Sequence, residues 1–374
     1  MNPHSSASAP TEHTLKITPA HLGMRVDQVL AQLLPDTSRS KLQLWCAAGA
    51  VTQAGVALEA NNKIKKVLPI IAIAQPDASL DAFAPEDIAL DRVYEDEYLI
   101  VINKPVGLVV HPGANNWTGT LMNGLLFHYP DSAALPRAGI VHRLDRDTSG
   151  LMVVAKTSAA YNALVAALKA RTVQRRYLAM VHGVPIWTST QVDAPIGRDP
   201  KLRTRMAVVL GTVARPSTGK QAITDARVIA SHSGLGVSLL ECKLHTGRTH
   251  QIRVHMAYKG HALLGDATYG GKPLLEMTRQ ALHAWKLSFT HPITGAEIAN
   301  QITPPADLLA AMGTMQVQWP ALANALAQSP DFTVDTPDPT ALAEDIFDFG
   351  MDEDDFDEDE DFDDGAVEVI YVRD

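Results

Sequence analysis

The sequence predicts an α+β protein, with a larger domain on a mixed, mainly antiparallel sheet and a small α–β module before it. Beyond residue 90, strand-like runs outnumber helical ones and do not alternate strictly with them, unlike a parallel α/β sheet. The 374 residues suffice for two domains with a sizeable core. Near residue 331 the composition changes to an acidic tail, which ends the folded part.

The small module is expected at residues 15–80, after a disordered leader at 1–14. Apolar residues have helical spacing in RVDQVLAQLLP (25–35), which ends at a proline, and again in SRSKLQLWCAAG (38–49), which ends at a glycine. Short strand-like pieces, AVTQAG and VLPIIAI, follow. The exposed charges of this module are mostly basic: Arg39, Lys41, Lys63, Lys65 and Lys66.

The larger domain is expected at residues 91–325, after a linker at 81–90 that continues a stretch rich in Pro, Ala and Asp. Apolar runs and their punctuation predict strands at 98–105, 150–157, 176–183, 224–233 and 236–247. Helical spacing predicts helices at 119–128, 158–170 and 249–260.

Composition excludes several classes of protein. No apolar run approaches the roughly 18 residues that span a bilayer, and the N-terminus lacks the basic and apolar parts of a secretory signal. The two cysteines, Cys46 and Cys242, lie far apart and outside any zinc-ligand spacing. We therefore expect a cytoplasmic protein with no membrane contact, no disulfide scaffold and no metal site.

The charge is distributed unevenly along the chain. Residues 331–374 hold 19 of the 42 acidic residues and one of the 32 basic ones, a formal charge of −18, so the other 330 residues carry +8. A basic body attracts polyanions, which makes nucleic acid a candidate partner, although many enzymes have a similar charge. The tail, predicted to be disordered from residue 326, either shields the basic body as an RNA mimic or serves solubility.

The densest polar cluster is GIVHRLDRDTSGLMVVAKT (139–157), where charged residues separate two apolar runs and Thr148-Ser149-Gly150 predicts a tight turn. In an extended segment Arg143, Asp145 and Asp147 would share a face. A surface turn with a salt bridge is the plain alternative for Asp145.

A second cluster, LHTGRTHQIRVHM (244–256), contains Arg248, His250, Arg253 and His255. A helix beginning near Thr249 would favour anions at its N-terminus, and one arginine could keep a buried carboxylate ionised. The alternative is an exposed basic turn. Tyr177 lies in a predicted strand, where core packing is the usual role.

Two glycine-containing segments, NKPVGLVVHPG (103–113) and GDATYGG (265–271), lack the spacing of a phosphate-binding loop. No nucleotide cofactor is therefore expected.

Several segments in order resemble the RluA-type pseudouridine synthases: YEDEYLIVINKPVGLVVHPG, GIVHRLDRDTSGLMVVAKT, RRYLAMVHG, LHTGRTHQIRVHMAYKGHALLGDATYG and LHAWKLSFTHP. They cover most of residues 90–310. RVDQVLAQLLPDTSRSKLQLW resembles an S4 RNA-binding domain, a combination found in the RluD-like enzymes of large-subunit rRNA. Family members usually have an Asn-Gly turn after the second helix, where this chain reads AVTQAGVAL.

This resemblance implies a role for each matching residue. Asp145 corresponds to the catalytic aspartate, Tyr177 to the active-site tyrosine and Arg253 to the basic residue that pairs with the aspartate. Arg143 is implied near the flipped nucleotide, and Leu282 in the wall of the uracil pocket. We add Arg248 as a substrate-binding candidate and the basic residues of the module, Arg39, Lys41, Lys63, Lys65 and Lys66, as RNA contacts.

The implied reaction breaks the glycosidic bond of a uridine, turns the uracil and rejoins it through C5, without a cofactor. The uridine must first be flipped out of its stack. Direct attack of Asp145 at C1′, abstraction of the 2′ proton to give a glycal, and attack at C6 all remain open, with the glycal route favoured. The expected partner is ribosomal RNA or a pre-ribosomal large-subunit particle, with 23S rRNA helix 69 as the target, and the enzyme is expected to be a monomer.

Two other functions fit part of the sequence. Asp145-Arg146-Asp147-Thr148 matches the DxDxT motif of magnesium-dependent phosphatases of the haloacid-dehalogenase type, but that motif belongs at the end of the first parallel strand of a βαβ series. A non-catalytic RNA-binding or ribosome-assembly protein would need only the S4-like module and the basic body.

Overall fold

The chain divides into two compact units, residues 1–81 and 82–374, so the division falls at the start of the predicted linker. The computed structural model describes residues 12–35, 37, 39–73, 83–113, 116–202, 204–211 and 217–328. The predicted acidic tail lies outside the described residues from residue 329 onward.

The N-terminal unit combines two helices with a four-stranded antiparallel sheet. Its helices are α1 (Val26–Leu33) and α2 (Arg39–Ala47). Its strands are β1 (Glu12–Leu15), β2 (Val51–Gln53), β3 (Val56–Ala57) and β4 (Ile70–Ile73), in the order β1–β4–β2–β3. Strand β1 includes residues 12–14 of the predicted leader, because their backbone pairs with β4.

The helical spacing seen in the sequence corresponds to the buried face of α1. Val26, Val29 and Leu30 are fully buried and pack in one core with Leu42 and Trp45 of α2. This contact between two amphipathic helices and the sheet explains why so short a segment folds around a core of its own.

The hairpin between β2 and β3 turns at Ala54 and Gly55. Both residues have positive φ, 52° and 78°, as a two-residue type I′ turn requires. This two-residue turn thus forms with alanine at its first position, in a conformation that a Cβ atom disfavours.

The larger unit is built on a nine-stranded sheet in the order β5–β6–β7–β14–β8–β13–β12–β9, with β15 paired to β14. Only the β7–β14 pair is parallel, so the prediction of a mixed, mainly antiparallel sheet is confirmed. The strands are β5 (Arg92–Glu95), β6 (Leu99–Lys104), β7 (Ser149–Ala155), β8 (Gln174–His182), β9 (Ser189–Asp193), β12 (Ile223–His232), β13 (Val237–Leu244), β14 (Leu282–Thr290) and β15 (Glu297–Gln301). A separate hairpin pairs β10 (Ile196–Arg198) with β11 (Met206–Val208).

Five helices accompany this sheet in the described ranges: α3 (Leu121–His128), α4 (Ser158–Lys169), α5 (Gln251–Tyr258), α6 (Ala306–Thr314) and α7 (Trp319–Gln328). Helix α5 begins at Gln251, two residues later than predicted, because His250 adopts a left-handed backbone conformation. Within those ranges, no helix has both the length and the apolar character needed to cross a membrane.

Strand β8 shows how the two faces of the sheet differ. Tyr177, Ala179 and Val181 pack with residues of α3 and α5, whereas Leu178 and Met180 pack with α6 on the other face. Alternate residues of a strand point to opposite faces, so Tyr177 belongs to the face that carries α5.

Candidate active site

Asp145 lies in a turn that leads into β7. The backbone N–H of Thr148 donates to the carbonyl of Asp145 at 3.0 Å and closes this turn, whereas Ser149 and Gly150 already belong to the strand. The carboxylate of Asp147 pairs with Arg146 at 3.3 Å. The expected extended segment, with Asp145 and Asp147 on one face, is therefore wrong, because residues 145–148 form a turn. The expected Thr148-Ser149-Gly150 turn is also wrong, because Ser149 and Gly150 belong to β7.

Lys104 binds the backbone beside this turn, a role that was not predicted from the sequence. Its side chain is fully buried, and Nζ donates to the carbonyl oxygens of Pro105, Leu108 and Arg146 at 2.8, 2.8 and 2.9 Å. Burial lowers the pKa of Lys104 to about 7, although Asp145 and Asp147 oppose the shift. The lysine that ends β6 thus fixes the backbone next to Asp145.

Arg253, on α5, holds the Asp145 side chain. Its Nη1 donates to Asp145 Oδ2 at 3.0 Å, while Nε and Nη2 donate to the two oxygens of Asp266 at 2.7 and 2.9 Å. Burial opposes the charged form, but the two carboxylates raise the pKa of Arg253 above its ordinary value. The sequence did not predict this role of Asp266, because the segment GDATYGG was tested only for the spacing of a phosphate-binding loop.

One pocket brings the predicted residues together. Asp145 and Tyr177 both line it, and Arg253 lies behind Asp145. The other lining residues include all three predicted substrate contacts, and they are Arg143, Leu144, Thr148, Leu244, Arg248, His250, Gln251, Ile252 and Leu282. Four separate segments therefore converge on one cavity.

The sheet topology explains this convergence. Asp145 precedes β7, Leu282 begins β14 and Tyr177 lies on β8, and these three strands are neighbours. Because β7 and β14 run parallel, both enter the sheet from the same end. Gly150 permits the close pairing there, since a Cβ atom at this residue would overlap the backbone of Ala284.

Tyr177 is buried, with 4% of its surface exposed. Burial raises the pKa of Tyr177 to about 12; Arg175 opposes this shift and Asp145 adds to it. At neutral pH the phenol is therefore protonated, and its hydroxyl is a hydrogen-bond donor at the pocket.

Arg175 lies two residues before Tyr177 and on the same face of β8. It is 7% exposed, and its Nε has no hydrogen-bond partner within the described part of the chain. Burial lowers the pKa of Arg175 from its ordinary value. A buried guanidinium nitrogen without a hydrogen-bond partner is costly for the fold, which makes this residue a further candidate for function.

Two of the predicted substrate-binding arginines have different settings. Arg143 is exposed at the pocket. Arg248 is tied to the scaffold, because its Nε donates to the carbonyl of Gln221 at 3.1 Å and its backbone N–H donates to Gln251 at 2.9 Å.

The predicted RNA contacts of the N-terminal unit also differ from one another. Lys63, Lys65 and Lys66 are exposed, whereas the side chain of Lys41 lies outside what the structure describes. Arg39 pairs at 2.9 Å with the fully buried Asp27. Arg39 therefore joins α2 to α1, and its contact with RNA stays a prediction.

The comparisons with known proteins agree with this site. The RNA pseudouridylate synthase family model matches residues 98–258, a range that contains Asp145, Tyr177 and Arg253. The chain is 43% identical over 381 residues to the ribosomal large subunit pseudouridine synthase D of Neisseria meningitidis serogroup A, covering 98% of this chain and 95% of that protein. The chain belongs to the RNA pseudouridylate synthase family.

Other pseudouridine synthases support the same assignment. The ribosomal large subunit pseudouridine synthase D of Nitrosomonas europaea is 46% identical, over 82% of this chain and 90% of that protein. The protein of the same name from Pseudomonas aeruginosa is also 46% identical, over 77% and 90%. The solved structure of human RNA pseudouridylate synthase domain containing 4 has a TM-score of 0.50 at 23% identity, covering 61% of this chain and 94% of that chain, and shares the fold.

The chain is thus an RNA pseudouridine synthase, an isomerase that converts uridine to pseudouridine. The phosphatase alternative is wrong: Asp145-Arg146-Asp147-Thr148 precedes β7, which is antiparallel to β6, instead of ending a parallel strand. Family membership likewise decides against a purely RNA-binding protein.

Proposed function

We propose that this pseudouridine synthase modifies uridines of large-subunit ribosomal RNA, with Asp145 as its reacting residue. The observation that carries the proposal is the meeting of Asp145 and Tyr177 in one pocket, with Arg253 fixed behind the carboxylate. Curated relatives at 41–46% identity that are named for the large ribosomal subunit support the choice of RNA.

Asp145 has one side-chain oxygen, Oδ1, without a hydrogen-bond partner among the residues that the structure describes. Oδ2 accepts from Arg253 at 3.0 Å, while Oδ1 faces the side of the pocket that His250 lines. Only 15% of the side chain is exposed, so a flipped uridine would displace the remaining water from it. A guanidinium that donates to one oxygen orients the carboxylate.

On the glycal route, Asp145 removes the proton from C2′, the C1′–C2′ double bond forms and the C1′–N1 bond breaks, so uracil leaves as an anion. After the uracil turns, C5 bonds to C1′ and C2′ regains its proton from Asp145. Loss of the C5 proton to solvent and protonation of N1 by solvent then restore the aromatic base. Attack of Asp145 at C1′ or at C6 would use the same free oxygen.

The other residues would bind the base and the RNA. Tyr177 and Leu282 flank the pocket and would contact the uracil ring. Because the pKa of Tyr177 is raised to about 12, its phenol acts as a hydrogen-bond donor rather than as the resting acceptor of the C5 proton. Arg143 and Arg248 would contact the RNA around the flipped nucleotide.

The N-terminal unit would add affinity for the RNA through its S4-like helices and its exposed lysines, Lys63, Lys65 and Lys66, together with Arg39 and Lys41. The enzyme would act as a monomer in the cytoplasm, on rRNA or a pre-ribosomal large-subunit particle. Helix 69 of 23S rRNA is the target that the family resemblance favours.

Mapping of pseudouridine in rRNA and tRNA tests this proposal. Cells that lack the protein should lose specific pseudouridines in large-subunit rRNA, and re-expression of the wild type should restore them. Re-expression of Asp145→Asn at the same level should not. Loss of sites only in tRNA, or no loss in any RNA, would contradict the proposed substrate.

A further inference from the structure

His250 lies at the pocket in a strained backbone conformation. Its φ of 56° and ψ of 21° are in the left-handed region, which residues other than glycine and asparagine seldom adopt. Such strain is typical of sites where the position of one side chain matters more than local stability. Here it places the imidazole between Tyr269 and Asp145.

Tyr269 determines which nitrogen of His250 carries the proton. The backbone N–H of Met206 donates to the Tyr269 hydroxyl oxygen at 3.1 Å, and among the described residues His250 Nδ1, at 2.8 Å, is the acceptor available to the hydroxyl proton. Nδ1 thus accepts, and the hydrogen-bond network assigns the ring proton of the neutral imidazole to Nε2.

The surroundings keep this imidazole neutral. Burial lowers the pKa of His250 from its ordinary value; Asp145 and Asp266 oppose the shift, and Arg253 and Arg143 add to it. Burial also raises the pKa of Tyr269 to about 12, so its hydroxyl keeps the proton that it donates. Arg253 lies 5.0 Å from the centre of the Tyr269 ring and restrains it further.

The protonated Nε2 faces the free oxygen of Asp145. The distance from Nε2 to Oδ1 is 3.9 Å, which is too long for a direct hydrogen bond. One oxygen atom at about 2.8 Å from each can occupy the space between them. That atom must accept from Nε2 and donate to the carboxylate, as a hydroxyl does and a carbonyl oxygen cannot.

Within an RNA chain only the 2′-hydroxyl of ribose has this character, because uracil presents carbonyl oxygens and one N–H, and the other ribose oxygens are esterified or in the ring. We propose that His250 donates its Nε2–H to the 2′-hydroxyl of the flipped uridine, which in turn donates to Asp145 Oδ1. This contact brings C1′ and C2′ next to the carboxylate and distinguishes ribose from deoxyribose at the reacting nucleotide.

The inference rests on the proposed function, and a binding experiment separates the two. One RNA is a hairpin whose uridine the wild type converts, and the other carries 2′-deoxyuridine at that position. Conversion of the first hairpin reports the function, whereas the ratio of the two dissociation constants reports the contact of His250. The proteins are wild type, His250→Phe and, as a control, His232→Phe, since His232 does not line the pocket.

Wild type and His232→Phe should bind the deoxy hairpin about fivefold more weakly, because it lacks both hydrogen bonds of the 2′-hydroxyl. His250→Phe should lower this ratio to about twofold, because its side chain has no N–H and only the hydrogen bond from the 2′-hydroxyl to Asp145 remains. A fivefold ratio that persists in His250→Phe would overturn the inference.

Two milder variants keep the test decisive if His250→Phe does not fold. His250→Gln retains an N–H donor and should recover part of the ratio. Tyr269→Phe keeps the ring under Arg253 but no longer fixes the tautomer of His250, so the ratio should fall to about twofold. A ratio of dissociation constants in Tyr269→Phe as large as that of the wild type would disprove the role of the tyrosine hydroxyl. The same ratio in all variants and in the wild type would disprove the contact itself.

Discussion

Arg253 donates two hydrogen bonds to Asp266, from Nε to Oδ2 at 2.7 Å and from Nη2 to Oδ1 at 2.9 Å. Its remaining nitrogen, Nη1, donates to Asp145. The planar guanidinium is thereby fixed by one carboxylate so that it can orient another. This arrangement differs from a simple ion pair, because the cation keeps a counter-ion even while Asp145 reacts.

Asp266→Asn tests this arrangement. Arg253 and Asp266 are 7% and 1% exposed in their side chains, and loss of one partner of a buried pair costs about 3 kcal/mol of unfolding free energy. Because Arg253 then turns more freely, the rate of the chemical step should fall more than the affinity for RNA. Asp307→Asn, which removes a half-exposed partner of Arg279, should cost no more than about 1 kcal/mol in urea unfolding and leave turnover unchanged. Equal effects of the two substitutions would refute the special role of Asp266.

Asp145→Asn should abolish pseudouridine formation, with a fall in rate of at least about 10²–10⁴-fold, because an amide neither attacks carbon nor accepts its proton. RNA binding should remain nearly intact, since one charge is small against a polyanion interface. Single-turnover conversion and RNA affinity measured together check both parts. The neighbouring Asp147→Asn removes an exposed carboxylate paired with Arg146 and should retain activity; measurable turnover in Asp145→Asn would invalidate the assignment.

Tyr177→Phe should preserve the fold and lose most of the activity. Within the described ranges no hydrogen bond holds the Tyr177 hydroxyl, so its removal should change the unfolding free energy by less than about 1 kcal/mol. The ring stays in place, and only the donor at the pocket is lost. The measurement pairs the melting temperature with the single-turnover rate, and Tyr161→Phe on α4 serves as a control. Wild-type turnover in Tyr177→Phe would restrict its role to packing.

The resemblance to a known family predicted which residues meet at the pocket but not how they are held. Asp145, Tyr177 and Arg253 each stand in a segment that matches the RluA-type pseudouridine synthases, and the structure brings the three together. Lys104, Asp266 and Tyr269 were not, since their roles depend on contacts 42, 13 and 19 residues away in sequence. No local spacing encodes such contacts.

The fold, like the site, was predicted only where a local sequence pattern indicates it. In the larger unit the period of apolar residues indicated β6, β7, β8, β12 and β13 and helices α3 to α5. The other strands and helices were not predicted, and β14 among them was missed because its sequence, LHAWKLSFT, has no clear alternation. This strand is buried on both faces over most of its length, so packing rather than pattern defines it.

The stability of the N-terminal unit should depend on acid in a defined way through Asp27. Burial would raise its pKa, but hydrogen bonds from Arg25, Gln43 and Arg39 lower it to about 2, from an ordinary 3.8. A carboxyl whose pKa is depressed on folding contributes stability above its unfolded pKa and loses it as the pH falls through the folded value. We expect about 2 kcal/mol of protection above pH 4, declining toward pH 2.

Hydrogen exchange of the α1 amides in the full chain, corrected for intrinsic rates, measures this loss. Asp27→Asn should lower protection at pH 6 and approach the wild type near pH 2.5. A difference that does not depend on pH would assign the effect of Asp27 to packing instead of charge.

The turn between β2 and β3 contains a strained alanine. Ala54 has a φ of 52° and Gly55 a φ of 78°, and alanine in this region costs about 1 kcal/mol relative to its usual conformations. Asparagine tolerates positive φ because its side chain can hydrogen-bond to the local backbone. Ala54→Asn should therefore stabilise the N-terminal unit by about 1 kcal/mol, seen as slower hydrogen exchange in β2 and β3. Ala57→Asn, at an equally exposed strand position in β3, gives no relief of strain and should be neutral or destabilising. If both asparagines stabilised the hairpin equally, strain at Ala54 would not be the cause. If Ala54→Asn alone did so, strain at the alanine would be a local weakness of this hairpin.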